Sequence, residues 1–322
     1  MKNRGLAEVA HALDRGEKFL VMSHVGPDGD SLGSMLALAD FLQNHGKTVV
    51  CANQDPVPKR YQWLPGVQQI QTPSRVEGPF DTVVLLDCSR IERVGTCATL
   101  IDDAHNMVVI DHHQEGPLEK AVHFVDTSYA ATGEILAELF ELTDTPISHD
   151  MALNAYVALA TDTGGFRFAN TTPRTLRTAA DLVQVGIDVA DVSNRIFNTI
   201  GIGKFRLLRE VLDRSEFLFG GRVGVTRLPR EAFADAEATA EDTDGLINHV
   251  RYVEGVEVAL LFREVDAKTT KVSCRAQAPF DAAAFLREFG GGGHAAAAGA
   301  TLAMGLEVAV TTVLERLAET FA

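Results

Sequence analysis

The sequence predicts an α/β protein: an N-terminal, mainly parallel sheet flanked by helices, joined by a helical linker to a smaller α+β domain. Along the first half, short β-branched runs alternate with segments of helical spacing, which is typical of parallel sheets. After about residue 215, strand-like and helix-like segments mix without regular alternation. The length of 322 residues is that of about two domains.

The predicted elements follow in chain order. The apolar run at 19–24 predicts a strand, and 31–46 predicts a helix capped by Asp30 or Ser31 and ended by Gly46. Further strands are predicted at 47–53, 82–88, 106–113 and 121–126, and helices at 131–143, 148–164 and 172–186. Because 189–217 looks helical throughout, we expect domains at 1–190 and 215–322 with a linker over 191–214.

Composition limits the classes of partner. The chain has 29 Lys and Arg against 44 Asp and Glu, a net charge of −15, which disfavours non-specific binding to duplex nucleic acid but permits a short anionic ligand. No apolar run approaches the roughly 20 residues of a membrane helix. Charges interrupt the first twenty residues, and the four cysteines form no C-x-x-C pair. We therefore expect no membrane association and a reducing, cytoplasmic compartment.

Histidine and aspartate residues follow several predicted strands at the point where each strand ends. They are His24, Asp28 and Asp30 after the first strand, Asp87 after VVLL, Asp111, His112 and His113 after VVI, and Asp162 after a helix. Because carboxyl ends of parallel strands share one sheet edge, we expect these side chains to converge. Crowded carboxylates repel one another, and divalent cations relieve that repulsion. Oxygen and imidazole ligands suit Mn, Mg, Co or Zn, and two such ions form the usual clamp for phosphoester hydrolysis.

These motifs resemble those of the DHH phosphoesterases. The segment 24–34 resembles their first motif, with one extra residue before Pro27; Asp87, Asp111-His112-His113 and Asp162 resemble the second, third and fourth. GGGH at 291–294, followed by AAAAG, resembles the DHH-associated domain of the first type. TDTGGFRFANTTPRTL at 161–176 is similar to the nano-RNase/pAp phosphatase branch. The resemblance covers nearly the whole chain.

The resemblance implies a role for each of these residues. One metal would be held by His24, Asp28 and Asp87, and the other by Asp30, Asp87, His112 and Asp162, so that Asp87 bridges them. Two Mn²⁺ ions are expected, with Mg²⁺ or Co²⁺ as alternatives. His113 would face the scissile phosphate, and Asp111 would orient the His112-His113 pair from behind.

Glycines and arginines supply the candidate substrate contacts. By composition, the glycine tract is either a flexible turn or a set of backbone N–H groups close to a phosphate. The resemblance favours the second, with Gly291, Gly292, Gly293 and His294 gripping the substrate. Arg275 suits bidentate phosphate binding; the alternative is that it is an ordinary charged surface residue. Arg167 is expected along the nucleotide path, and Phe168 fits either base stacking or the core. Helix capping alone explains Thr132.

The resemblance therefore implies a two-metal phosphoesterase that cuts short RNA or DNA oligonucleotides to 5′-mononucleotides and removes the 3′-phosphate of pAp (adenosine 3′,5′-bisphosphate). The enzymatic alternatives are a hydrolase of linear di-adenylate (pApA) and a RecJ-like single-strand exonuclease, which the acidic charge disfavours. The non-enzymatic alternative is a nucleotide-binding regulator with a degenerate site. The presence of every expected metal ligand argues against it. The sequence does not decide the native metal, the polarity of degradation, the preference for RNA over DNA, or whether the protein forms a homodimer.

Overall fold

The computed structural model describes residues 2–101, 106–113 and 121–321, without the side chains of Lys2, Asn3 and His294. The chain forms two compact units, Met1–Thr199 and Ile200–Ala322. Among the described residues, none of the helices has the length and apolar character needed to span a membrane.

The first unit is a sheet flanked by helices. In chain order it contains α1 (Lys2–Arg15), β1 (Lys18–Ser23), α2 (Gly29–Asn44), β2 (Thr48–Ala52), β3 (Ile70–Gln71), β4 (Thr82–Leu86), β5 (Asn106–Asp111), β6 (Val122–Val125), α3 (Thr132–Leu142), α4 (His149–Asp162), α5 (Pro173–Gln184) and α6 (Val189–Ser193). The strand order is β3-β2-β1-β4-β5-β6, and every neighbouring pair is parallel. The predicted mainly parallel sheet is confirmed.

The winding of this sheet reverses between β1 and β4. The chain moves from β1 outward to β3 on one side, and from β4 outward to β6 on the other. In open parallel sheets, ligands bind at such a reversal, beyond the carboxyl ends of the strands. The crevice after Ser23 and Leu86 is therefore the expected ligand site of this unit.

Apolar strands support both faces of the sheet. Along β1, Phe19 and Val21 pack with the apolar faces of α1, α2 and α3, whereas Leu20 and Met22 pack on the opposite face with Cys88. Because both faces are covered, the strand sequences are continuously apolar rather than alternating.

Glycines allow the helices beside the crevice to approach closely. On α2, a Cβ at Gly33 would overlap the carbonyl oxygen of Asn154 in α4, and one at Gly29 would overlap the side chain of Thr161. On α3, a Cβ at Gly133 would lie 2.5 Å from the Cβ of Ala158. These contacts draw the beginnings of α2 and α3 against α4.

The second unit is a smaller α+β structure, as the sequence predicts. It contains α7 (Ile202–Asp213), β7 (Glu216–Leu218), β8 (Val223–Leu228), α8 (Arg230–Ala236), α9 (Ile247–Arg251), β9 (Val258–Asp266), β10 (Thr269–Ala276), α10 (Ala282–Arg287), β11 (Gly292–His294), β12 (Ala297–Leu302) and α11 (Leu306–Phe321). Its sheet order is β11-β12-β10-β9-β8-β7, with β8 and β9 parallel and the other pairs antiparallel. Apolar clusters cover both sheet faces.

Replacing Gly33 by Ala should destabilise the protein by about 1–3 kcal/mol, because the added methyl group must displace the backbone of α4. The measurement is the denaturant midpoint of unfolding. Gly292→Ala is the matched control, because a Cβ there meets no described atom within 4 Å. Equal midpoints for the two variants would contradict the close packing of α2 on α4.

Candidate metal centre

The predicted metal ligands come from six points in the sequence and meet at the crevice between β1 and β4. His24 follows β1, Asp28 and Asp30 begin α2, Asp87 follows β4, His112 follows β5, and Asp162 ends α4. Among the described residues, three sets have ligand atoms within 4.8 Å of one another: His24, Asp28 and Asp87; Asp30, His112 and Asp162; and Asp87, His112 and His113. The third set adds His113, which the sequence analysis places at the substrate.

Asp87 lies at the centre of the cluster. Its backbone has a φ of 59°, a left-handed conformation that aspartate tolerates better than most residues. Oδ2 lies 3.3 Å from Nε2 of His24, and Oδ1 lies 3.5 Å from Nε2 of His112. The two carboxylate oxygens therefore face opposite halves of the site.

Backbone carbonyls orient two of the histidines. Nδ1 of His24 lies 2.9 Å from the carbonyl oxygen of Val25, and Nδ1 of His112 lies 3.3 Å from that of Tyr129. A ring nitrogen that donates to a carbonyl leaves the other nitrogen with a lone pair for a metal. In both rings that other nitrogen is Nε2, which faces the carboxylates.

Crowding raises the pKa of the buried carboxylates. Burial and the negative charge of Asp162 raise the pKa of Asp30 to about 6, although His112 and the N–H of Thr132 act in the opposite direction. Burial, together with the charges of Asp30 and Asp28, raises the pKa of Asp87 well above its ordinary value. Such carboxylates favour a neighbouring positive charge.

The surroundings of His112 also favour a positive charge. Burial lowers its pKa, but the contact with Asp162 and the charges of Asp30 and Asp87 outweigh burial and raise the pKa to about 10. Nε2 lies 3.1 Å from Oδ2 of Asp162, yet it makes no well-directed hydrogen bond within the described part of the chain. A buried imidazole nitrogen without a well-directed hydrogen bond, facing several carboxylate oxygens, belongs to a donor set that fits a divalent cation.

His113 is oriented differently from the other two histidines. Its Nδ1 lies 2.8 Å from Oδ1 of Asp111, and its backbone N–H donates to the same oxygen at 3.0 Å. Burial raises the pKa of Asp111, but these bonds and the charge of His113 outweigh burial and lower it. Asp111 therefore stays ionised and holds the His113 ring in place.

Arg275 lies in the second unit, on β10. It is half-buried, and it lines a cavity of about 180 Å³ together with Arg263, Lys271 and Ser273. Burial lowers its pKa, as expected for a cation in a partly enclosed site. Arg263 and Lys271 were not predicted from the sequence; they come together because the β9–β10 register pairs them.

The glycine tract is an edge strand with a structural requirement for glycine. A Cβ at Gly291 would overlap the carbonyl oxygen of Gly299, and Gly293 has a φ of 141° and lies against Ala298. A Cβ at Gly292 would meet nothing within 4 Å in the part of the chain that the structure describes. The backbone of His294 pairs with Ala297 in the β11–β12 ladder, whereas its side chain lies outside the described residues.

Arg167 follows the metal-site end of α4. Gly164, Gly165 and Phe166 all have positive φ values, of 57°, 70° and 64°, and turn the chain after Asp162. The Nε–H of Arg167 donates to the carbonyl oxygen of Gly164 at 2.6 Å. Phe168 is 47% exposed, so this ring is not part of the core.

Comparisons with known proteins agree with the resemblance. Residues 18–161 match the model of the DHH family N-terminal domain, and residues 220–322 match the DHHA1 domain. The chain is 35% identical to the bifunctional oligoribonuclease and PAP phosphatase NrnA of Thermus thermophilus, over 99% of this chain and 94% of the relative. It is 24% identical to the protein of that name in Bacillus subtilis, over 92% of each chain.

Solved structures share the architecture. An exopolyphosphatase-related protein from Bacteroides fragilis has a TM-score of 0.91 at 25% identity, over 98% of this chain and 96% of that one. RecJ from Thermus thermophilus, solved with Mn²⁺, has a TM-score of 0.58 at 16% identity, over 99% of this chain and 55% of that one. Both domain matches show the family, as does the 35% identity with the Thermus relative over nearly the whole chain. The chain therefore belongs to the DHH family and carries a DHHA1 domain.

Proposed function

We propose that this protein is a divalent-metal phosphoesterase that hydrolyses short oligoribonucleotides to 5′-mononucleotides and converts pAp to AMP. The convergence of His24, Asp28, Asp30, Asp87, His112 and Asp162 on one crevice carries the proposal. The relative that is 35% identical over nearly the full chain bears the name of both activities. Mn²⁺ is the metal we propose, because oxygen and imidazole donors suit it.

The two halves of the centre would each hold one ion. His24 and Asp28 would bind the first and Asp30, His112 and Asp162 the second, with Asp87 bridging through its two oxygens. Two divalent cations in this position would activate a water molecule and neutralise charge on the phosphoryl group. His113, held by Asp111, would direct Nε2 at the phosphate and deliver a proton to the leaving oxygen.

Substrate binding is assigned to the second unit. Arg263, Lys271 and Arg275 surround one cavity, and their positive charges suit the phosphates of a short oligonucleotide. We propose that Arg275 is the main anion-binding residue there. Gly292 and His294 in the glycine tract, and Arg167 in the first unit, are proposed as further contacts along the nucleotide.

The first test is hydrolysis by the purified full chain with MnCl₂. We expect mononucleotides from labelled dinucleotides and AMP from pAp, and we expect chelation by EDTA to stop both reactions. Parallel rates on pApA and on a long single strand distinguish the alternative substrates. If manganese binds but neither dinucleotides nor pAp are hydrolysed, the substrate assignment is wrong.

Asp87→Asn should reduce kcat by at least about a hundredfold, because it removes the negative charge of the carboxylate proposed to bridge two ions. Such ions contribute several kcal/mol to stabilising the transition state. Asparagine also adopts left-handed backbone, so the change leaves the φ of 59° available. Rates and the stoichiometry of Mn²⁺ uptake are measured together. Asp144→Asn is the matched control, since Asp144 is an exposed aspartate with a φ of 51°. Normal turnover by Asp87→Asn would exclude the bridging role.

Arg275→Ala should raise KM by about tenfold or more, because hydrogen bonds to charged groups contribute roughly 1.5–3 kcal/mol. Mn²⁺ uptake should stay unchanged, since the proposed metal ligands all lie in the first unit. Steady-state kinetics and metal titration check both points. The control is Arg316→Ala, which removes an arginine on α11 that pairs with Glu288. Loss of metal in Arg275→Ala would contradict the assignment.

A further inference from the structure

The N-terminus of α3 is capped from a distant part of the chain. Ala131 occupies the N-cap position and offers no side-chain hydrogen bond. The first N–H groups of a helix need acceptors outside the helix. Here the N–H of Thr132 donates to Oδ2 of Asp30 at 2.6 Å, and the N–H of Gly133 donates to Oδ1 at 3.0 Å. A proposed metal ligand on α2 is therefore also the cap of α3.

Thr132 contacts a second carboxylate through its side chain. Its hydroxyl donates to Oδ1 of Asp87 at 3.1 Å, and both residues are buried. Thr132 thus holds Asp30 with its backbone and Asp87 with its side chain. From α2, the hydroxyl of Ser34 completes the set by donating to Oδ1 of Asp30 at 2.9 Å. Oδ2 of Asp30 remains directed at Nε2 of His112, 3.5 Å away.

An ion pair between the buried Glu134 and the half-buried Arg174 fixes the segment that leads into α3. Oε2 of Glu134 accepts the N–H of Ala130 at 2.7 Å, and Oε1 accepts from Nε of Arg174 at 3.1 Å. The guanidinium of Arg174 lies 3.6 Å from the ring centroid of Tyr129 and also donates to the carbonyl oxygen of Ser128. These contacts hold the backbone on the N-terminal side of Thr132 in place. The N–H and hydroxyl groups of Thr132 therefore point in fixed directions.

We propose that Thr132 is a positioning residue of the metal centre, which holds Asp30 and Asp87 in their ligating orientations before an ion binds. The inference rests on the proposed metal-dependent function but concerns a residue that is not itself a ligand. Without the threonine hydroxyl, Oδ1 of Asp87 loses this hydrogen bond and the ion must orient that oxygen, which weakens metal binding. Partners behind metal ligands typically change metal affinity by about 10–100-fold.

The test compares Thr132→Val, which keeps the shape and removes the hydroxyl, with Thr132→Ser, which keeps the donor. Calorimetric titration of the metal-free full chain with MnCl₂ should show affinity about tenfold or more weaker in Thr132→Val and within about threefold of wild type in Thr132→Ser. Thr143→Val is the matched control, because that hydroxyl lies at the other end of α3 and, among the residues that the structure describes, bonds only backbone carbonyls and Thr145. It should bind manganese as wild type does.

Kinetics at saturating Mn²⁺ provide a second readout. A positioning role predicts that kcat on a dinucleotide falls in Thr132→Val while KM stays within about twofold, because substrate contacts are untouched. Wild-type manganese affinity and kcat in Thr132→Val would overturn this inference and leave the proposed function standing. Absence of manganese binding in the wild type would instead refute the proposed function. If Thr132→Val does not fold by circular dichroism, Thr132→Ala replaces it, with the same criteria.

Discussion

Mutual repulsion among buried carboxylates is the constraint on which this structure depends. Asp30 and Asp87 are both essentially without solvent exposure, and Asp28 and Asp162 lie beside them. Burial alone would drive such groups to take up protons, and their proximity adds to the effect. The protein maintains the cluster through hydrogen bonds to the carboxylates and through two histidines placed between them. The remaining negative charge suits the crevice between β1 and β4 to the divalent cations proposed there.

The framework that holds the carboxylates is made of close backbone contacts. Gly29, Gly33 and Gly133 let α2 and α3 lie against α4 at distances that no other residue permits. Asp30 follows the first of these glycines, and Asp162 ends the helix that all three contact. Packing and chemistry are therefore linked, because a shift of α2 relative to α4 would move ligands on both helices at once.

Much of this arrangement could be predicted from the sequence. Strand ends carrying His24, Asp87 and Asp111 indicate a shared sheet edge, because parallel strands align their carboxyl ends. Contacts between distant elements could not be predicted in this way. The cap of α2 is Asp28, in a reciprocal pair with Ser31, rather than Asp30 or Ser31. Asp30 lies inside α2, and its side chain caps α3 instead, which no nearby sequence pattern reveals.

Short or register-dependent features escaped prediction for related reasons. Strand β3 has two residues, Ile70 and Gln71, too few for a period to be recognised. Arg263 and Lys271 are eight residues apart along the chain and become neighbours only when β9 pairs with β10. The basic cavity in the second unit is thus a product of strand register.

The capping of α3 by Asp30 gives one carboxylate two roles, the observed helix cap and the proposed metal ligand. The partial positive charge at a helix N-terminus stabilises a nearby anion, typically by about 0.3–1 kcal/mol and by more where burial limits screening. That interaction lets Asp30 lie fully buried while it faces His112. It also uses acceptor capacity on both oxygens, because Oδ1 accepts from Ser34 and Gly133 and Oδ2 accepts from Thr132. Oδ2 has one hydrogen bond fewer and is the oxygen that faces His112. The bond from Ser34, added to those from the helix end, thus distinguishes the two oxygens of this aspartate.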